Sequence, residues 1–442
     1  GFQPLPTMAR TLPTEEPALR NEYTGTTNVY ETEHFAIWWG SSFFDVDSID
    51  SLGEAFELGW DEALAMGYPT PTGTDMYKFN VYIGDTGGPS SYGASGYFYY
   101  DPEDWPMVVI DSDIVGTDTG LTTAVHEYFH AIQDGVQTYQ YSDIAAWYFE
   151  STAMWFESLL YAETAEFAHF LYAFAFLPEL PLNYFNYPET MSTDEYHHYG
   201  TFVFISHLEE HYGRELIRRS WMEAPRQGDP LETLDKLLKE QGANIVDTFF
   251  SFAVRNATWD YEYESLYEEH LESKGGWDNT DSHRPTGYIR VPTVIALLPP
   301  GHPPHTYGSN YWKIVGLDET FYVSFSGDIR PSEWYVAVAT QEGDVHTTYE
   351  VPLKGAKGSL EVNLVDADEA WLVVSVAEGS EDVGAWSYEV AATFYEPIHD
   401  AEPRACGCTM SSRKNGGDNR QMAWWPLLIT LAASQRRRWR NR

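Results

Sequence analysis

Cysteine is almost missing from this chain: two residues in 442, Cys406 and Cys408, both close to the C-terminal end. No disulfide can staple the body of the protein, and a cysteine nucleophile is excluded there. Basic residues are scarce as well. Lys and Arg number 26 against 67 Asp and Glu, a formal net charge of −41. Such an excess repels nucleic acid and anionic membrane, so neither is expected as a partner of the folded part. Long apolar runs are also lacking. The best candidate, residues 422–433, falls short of the ~20 residues a span requires and is interrupted by Pro426. What the chain does have is 43% hydrophobic and 16% aromatic residues, enough for two or three domains with sizeable cores.

The stretch with the clearest chemistry is Thr122-Thr-Ala-Val-His126-Glu127-Tyr-Phe-His130-Ala-Ile132. On a helix, His126 and His130 are i and i+4, so both imidazoles leave one face about a turn apart. Two nitrogens at that separation can bind one tetrahedral Zn²⁺. Glu127 flanks the histidines and is placed to take a proton from an attacking water. Leu121, Val125, Phe129 and Ile132 form an apolar stripe that would bury the helix. A pentapeptide of this kind also arises by chance on surface helices, and the following segment bears on that alternative. Glu150 lies twenty residues beyond His130, amid Trp147, Phe149, Ala153 and Met154, on a second helix opened by Ser142 or Asp143. A carboxylate in such company is costly to bury unless a cation neutralises it. His₂Glu is a known catalytic zinc ligand set.

His126, Glu127, His130 and Glu150 together resemble the gluzincin pattern, in which thermolysin-type zinc peptidases take the third ligand from a following helix. The run from Glu150 to Glu157 is similar to segments of bacterial gluzincin-like families, above all to metalloproteases of myxobacteria and their relatives. The resemblance implies an α+β, zincin-like domain, Zn²⁺ held by His126, His130 and Glu150, and Glu127 as general base. It also implies an edge strand above the metal helix that pairs with extended substrate, either residues 107–111 or residues 97–100. Thermolysin has an acid four positions after its glutamate ligand; Met154 stands there in this chain, and Glu157 is the candidate to orient a ligand histidine. Tyr199 and His198, before a Phe-rich helix as in such enzymes, are the candidate donors to a developing oxyanion; aromatic packing at a helix start is the plainer reading.

In chain order, residues 1–28 read as an extended lead-in rich in Pro4, Pro6, Pro13 and Pro17, without an apolar signal core. Residues 29–280 hold the expected metallopeptidase domain. Strands are expected at 33–39, 78–83, 97–100 and 107–111, with a helix over 45–66 capped by Gly67. A second histidine motif, His207-Leu-Glu-Glu-His211, matches the inverted H-x-x-E-H pattern. It is expected to be incidental, its histidines facing the side of the helix or solvent. Asp229-Pro230 opens a helix, and further helices cover 245–256 and 261–273. A boundary is expected near 275–285. Residues 286–398 change to short strands at regular spacing, an antiparallel β-sandwich of about seven or eight strands with no catalytic constellation. In the tail, 399–442, a Cys-Gly-Cys motif, the short apolar run and a closing arginine cluster resemble the myxobacterial C-terminal sorting signal. That resemblance implies a secreted or surface-displayed bacterial protein, touching membrane only through its tail before processing.

The function expected is thus that of an exported zinc endopeptidase acting on peptide or protein substrates. A non-catalytic zincin-fold binding protein, or a zinc hydrolase acting on another bond, are the alternatives. An intact Glu127 argues against the first, because a structural zinc site has no use for a general base.

Overall fold

The computed structural model describes residues 17–43, 45–140, 143–274, 286–290, 295–297, 301–317, 320–330, 333–377 and 384–394. The chain up to Pro397 forms one compact unit. It opens with β1 (Asn28–Glu31), β2 (Phe35–Trp39), α1 (Ile49–Met66), β3 (Phe79–Ile83), β4 (Gly96–Tyr100), β5 (Pro106–Ile110) and α2 (Asp118–Val136). The five strands make one sheet in the order β1-β2-β3-β5-β4. The pairs β2-β3 and β3-β5 are parallel, while β1 and β4 run antiparallel to their neighbours. β2, β3 and β5 are buried at every position, as their continuous apolar runs require when both faces are covered. One face packs on α1 and α2. The other buries Ala36, Trp38, Tyr82, Met107 and Val109 under Tyr23, Val29 and Tyr97.

The lead-in is therefore docked in its described part. Ala18 bridges to Tyr77, and the Arg20 guanidinium pairs with Asp101 and lies over the rings of Tyr77 and Trp105. Residues 1–16 lie outside the described residues.

Helices follow: α3 (Ala146–Leu160), α4 (Leu171–Ala175), α5 (His197–Gly200), α6 (Phe202–Tyr212), α7 (Arg214–Met222), α8 (Pro230–Glu240), α9 (Ile245–Arg255) and α10 (Glu264–Ser273). Asp143 opens a short 3₁₀ turn ahead of α3 and does not cap it; Ala145 stands at the cap position without a side-chain bond, and Ser142 lies outside the described residues. Asp229 caps α8 as expected, with Pro230 in its first turn.

The C-terminal part contains β6 (Gly287–Arg290), β7 (Ile295–Leu297), β8 (Gly308–Val315), β9 (Thr320–Gly327), β10 (Glu333–Glu342), β11 (Val345–Glu350), β12 (Lys357–Asn363), β13 (Glu369–Ala377) and β14 (Tyr388–Thr393). They form two sheets, β11-β10-β13-β8-β6 and β12-β9-β14-β7. Phe321, Val323, Phe325 and Val390 of the smaller sheet share a core with Ile314, Val336, Leu372 and Val374 of the larger. The expectation of purely antiparallel pairing fails at β6, which pairs parallel to β8. Nine described strands replace the seven or eight expected, since β6 and β7 are too short to show a period. The outer face of the larger sheet is not free: Tyr311, Ala337, Trp371 and Val373 pack on Ala253, Val254 and Ala257 at the end of α9. The residues of the expected boundary, 275–285, and the tail lie outside the described residues. No described helix is long and apolar enough to cross a membrane.

Candidate metal centre

Thr117, in extended conformation, caps α2 by accepting the Gly120 N–H at 3.1 Å. The helix is buried on several sides. Tyr128 rests against Gly59 of α1, where a Cβ would come within 3.1 Å of its ring, and Phe129 stacks on Phe156 of α3 at 4.5 Å. This crossing of α2 and α3 turns the His126–His130 face toward Glu150. Leu121 is only partly buried, while Val125, Phe129 and Ile132 are in the core.

The two imidazole rings lie 4.8 Å apart. Glu150 Oε2 is 3.3 Å from His126 Nε2 and 3.4 Å from His130 Nε2. Two ligand atoms each ~2.0–2.1 Å from one tetrahedral ion would stand at about that separation. Among the described residues, His126, His130 and Glu150 are the one group of three able to hold a metal ion. Their nitrogen and oxygen donors suit a first-row divalent metal ion such as zinc, copper, iron or nickel. The outward-facing nitrogens are engaged elsewhere. His126 Nδ1–H donates to Glu157 Oε1 at 2.6 Å, and His130 Nδ1–H donates to Gln133 Oε1 at 2.6 Å. Both Nε2 atoms are thereby left for a common ligand. Glu157 thus occupies the place its spacing suggested, one turn past the core residue Met154. Gln133 escaped notice in the sequence, although a buried amide three residues after the second histidine was its available signal.

Charge is concentrated here. Burial disfavours the imidazolium at His126, yet Glu150 and Glu157 raise its pKa well above the ordinary value; at His130 burial is likewise outweighed by Glu150. Burial pushes Glu150 up, but His130 and His126 hold its carboxyl well below the usual range. Glu127 goes the other way. Burial raises it despite both histidines, and it accepts the Phe98 N–H of β4. A carboxylate so tuned is suited to taking up a proton.

Tyr199 lies at the site. Its ring is 6.2 Å from His126; burial, then the charge of Glu150, push its pKa up. His198 sits behind it, 1% exposed, with its ring 4.4 Å from Tyr199 and 4.5 Å from Phe185; burial lowers its pKa to about 4, so it is neutral. Of the two strands considered as the sheet edge over α2, only β4 is an edge; β5 lies between β3 and β4.

The inverted motif has a different fate. His207 is fully buried, not turned outward, because Phe204 and Phe252 pack on it. Arg255 Nη1 stands 3.2 Å from both His207 Nδ1 and His211 Nε2, and its Nη2 donates to Glu210 at 2.5 Å. A guanidinium with Tyr261 over it at 4.3 Å fills the space between the two rings.

Fold and site define an α+β protein in which two crossed helices bring an H-E-x-x-H segment and a glutamate into one potential metal centre. The chain belongs to a family of unknown function, DUF6055, whose model matches residues 12–392. No curated protein matches it. Among solved structures, the pre-peptidase C-terminal domain of collagenase from Bacillus anthracis is similar over 24% of this chain and 94% of that one, at 11% identity and a TM-score of 0.18.

Proposed function

We propose that this protein is a zinc-dependent endopeptidase of gluzincin type, its residues 29–280 a zincin-like domain. The observation that carries the reading is the convergence of His126 Nε2, His130 Nε2 and Glu150 Oε2 beside a buried Glu127. His126, His130 and Glu150 would hold the ion. When bound, it supplies Lewis acidity, making water a better nucleophile and polarising a carbonyl. Glu127 takes the proton of the attacking water and passes it to the leaving nitrogen. The outer edge of β4, at the end of its sheet, would offer backbone groups to an extended peptide. Tyr199 is the better candidate to donate to the developing oxyanion, since its ring lies 6.2 Å from that of His126. Neutral His198 backs the Tyr199 ring and is the lesser candidate. Secretion or surface display is part of the proposal and rests on the tail motif alone.

The test is zinc content and cleavage of a mixed peptide library, with the native chain beside Glu127→Gln. About one zinc per chain in both proteins, with cleavage lost by at least ~100-fold in the variant, is expected. Zinc in both with no cleavage by either would move the reading to a binding scaffold or a non-peptide hydrolase. Absence of zinc from the native chain would remove the metal centre itself.

A further inference from the structure

Gln133 is 1% exposed and its amide is fully committed. Its Nε2 donates to the Phe149 carbonyl at 2.9 Å and to Thr152 Oγ1 at 3.0 Å, while its Oε1 faces His130 Nδ1 at 2.6 Å. The direction of this chain of bonds is dictated from one end. A backbone carbonyl can only accept, so the amide nitrogen must face Phe149. Thr152 spends its own hydroxyl proton on the Tyr148 carbonyl at 2.7 Å, so toward Gln133 it too accepts. Both amide N–H groups are thus used, and the amide oxygen is left to face His130. It can only accept, so His130 carries a proton on Nδ1, and in the neutral form that can ligate a metal the lone pair is on Nε2, the nitrogen that faces Glu150.

We propose that Gln133 is a positioning residue of the metal centre: its amide transmits the fixed polarity of the Phe149 carbonyl to His130, so that the helix carrying one ligand sets the tautomer of another. The inference rests on the zinc reading above. It also accounts for the unlike partners of the two histidines. His126 has a carboxylate, Glu157, but a carboxylate at position 133 would turn an oxygen without a proton toward a carbonyl that can only accept and a hydroxyl whose proton is held by the Tyr148 carbonyl, in a buried place. An amide is the side chain of that length which offers an acceptor on one side and two donors on the other. Gln133 does not touch the reacting atoms. Its effect passes through His130 and through the tie between α2 and α3.

The experiment uses the full chain, with zinc affinity measured by chelator competition and the visible spectrum of the Co²⁺-substituted protein as a second readout. Gln133→Met keeps the length and removes every bond. It is expected to weaken zinc binding by about 10–100-fold and to shift the Co²⁺ bands, as loss of a partner to a ligand histidine does. Gln133→Glu keeps an acceptor for His130 while losing both donors. It is expected to recover zinc affinity to within about tenfold of the native chain, while the metal-free protein melts lower. A role in fold stability alone predicts the opposite order, with Gln133→Glu no better than Gln133→Met. Native affinity and spectrum in Gln133→Met would overturn the inference, as would affinity in Gln133→Glu no better than in Gln133→Met. If Gln133→Met does not fold, Gln133→Glu decides alone by the same tenfold limit. A native chain that binds no zinc would defeat the metal reading first, a result distinct from a zinc-loaded native chain indifferent to residue 133.

Discussion

At the scale of single residues, the histidines of α2 and α5 divide into two groups by their surroundings. His126 and His130 face carboxylates and are held toward the charged form. His197 and His198 face aromatic rings: Phe174 and Tyr184 for the first, Phe185 and Tyr199 for the second. Burial lowers their pKa values to about 3 and about 4, against 6.5 for a free imidazole. Because the folded values lie below the unfolded one, the unfolded chain takes up these protons first. Stability from this source is full above pH 6.5 and falls as the pH drops toward 4, by about 1.4 kcal/mol per pH unit for each group. In His197→Gln the fall between pH 6 and 4.5 should be shallower by about that slope, as read from denaturant unfolding at each pH. An unchanged slope would mean that His197 is charged, or solvated, in the folded protein.

At the scale of elements, α2 is the piece on which the site depends, and its first turn is held by one hydroxyl. Thr117→Ala removes the bond to the Gly120 N–H and should cost about 1 kcal/mol in denaturant unfolding, with zinc content retained. Helices α1, α2, α3, α6, α8, α9 and α10 and most strands of the N-terminal part are legible in the sequence because local periods and stops mark them. Gly67 and Asp229-Pro230 are among the stops, while α7 and the capping role of Thr117 went unread. Pairing is another matter. Residues 97–100 and 107–111 have similar patterns, and only the sheet order makes β4 the edge and β5 an inner strand. The parallel pairing of β6 on β8 was hidden for the same reason, since four residues bear no mark of their partner.

At the scale of the whole molecule, the β-rich part is joined to the helical part by a continuous apolar contact. Trp371 of β13 is fully buried in that contact beside Ala253 and Ala257, and the Tyr311 hydroxyl donates to the Ala253 carbonyl at 2.9 Å. Truncating a buried Trp costs about 3–5 kcal/mol through lost transfer energy and the cavity left behind. Trp371→Ala should therefore lower the unfolding midpoint of the whole chain in a single transition. Two separated transitions, with only one displaced, would show instead that the parts unfold independently.

By itself, the sequence determined the cluster of His126, His130 and Glu150 that could hold a metal ion, the flanking Glu127 and the helices that carry them. Helix geometry converts an i, i+4 spacing into a shared face, and an acid buried among aromatic residues calls for a cation, a hydrogen-bond partner or a proton. Tertiary structure alone decided the partners: Gln133 on His130, Tyr199 beside His126, Phe98 above Glu127, and Arg255 between the histidines of the inverted motif. Those choices depend on where α2 crosses α3, where α9 meets α6 and which strand ends the sheet. Contacts between residues distant in the chain are set by packing, for which local periodicity carries no record.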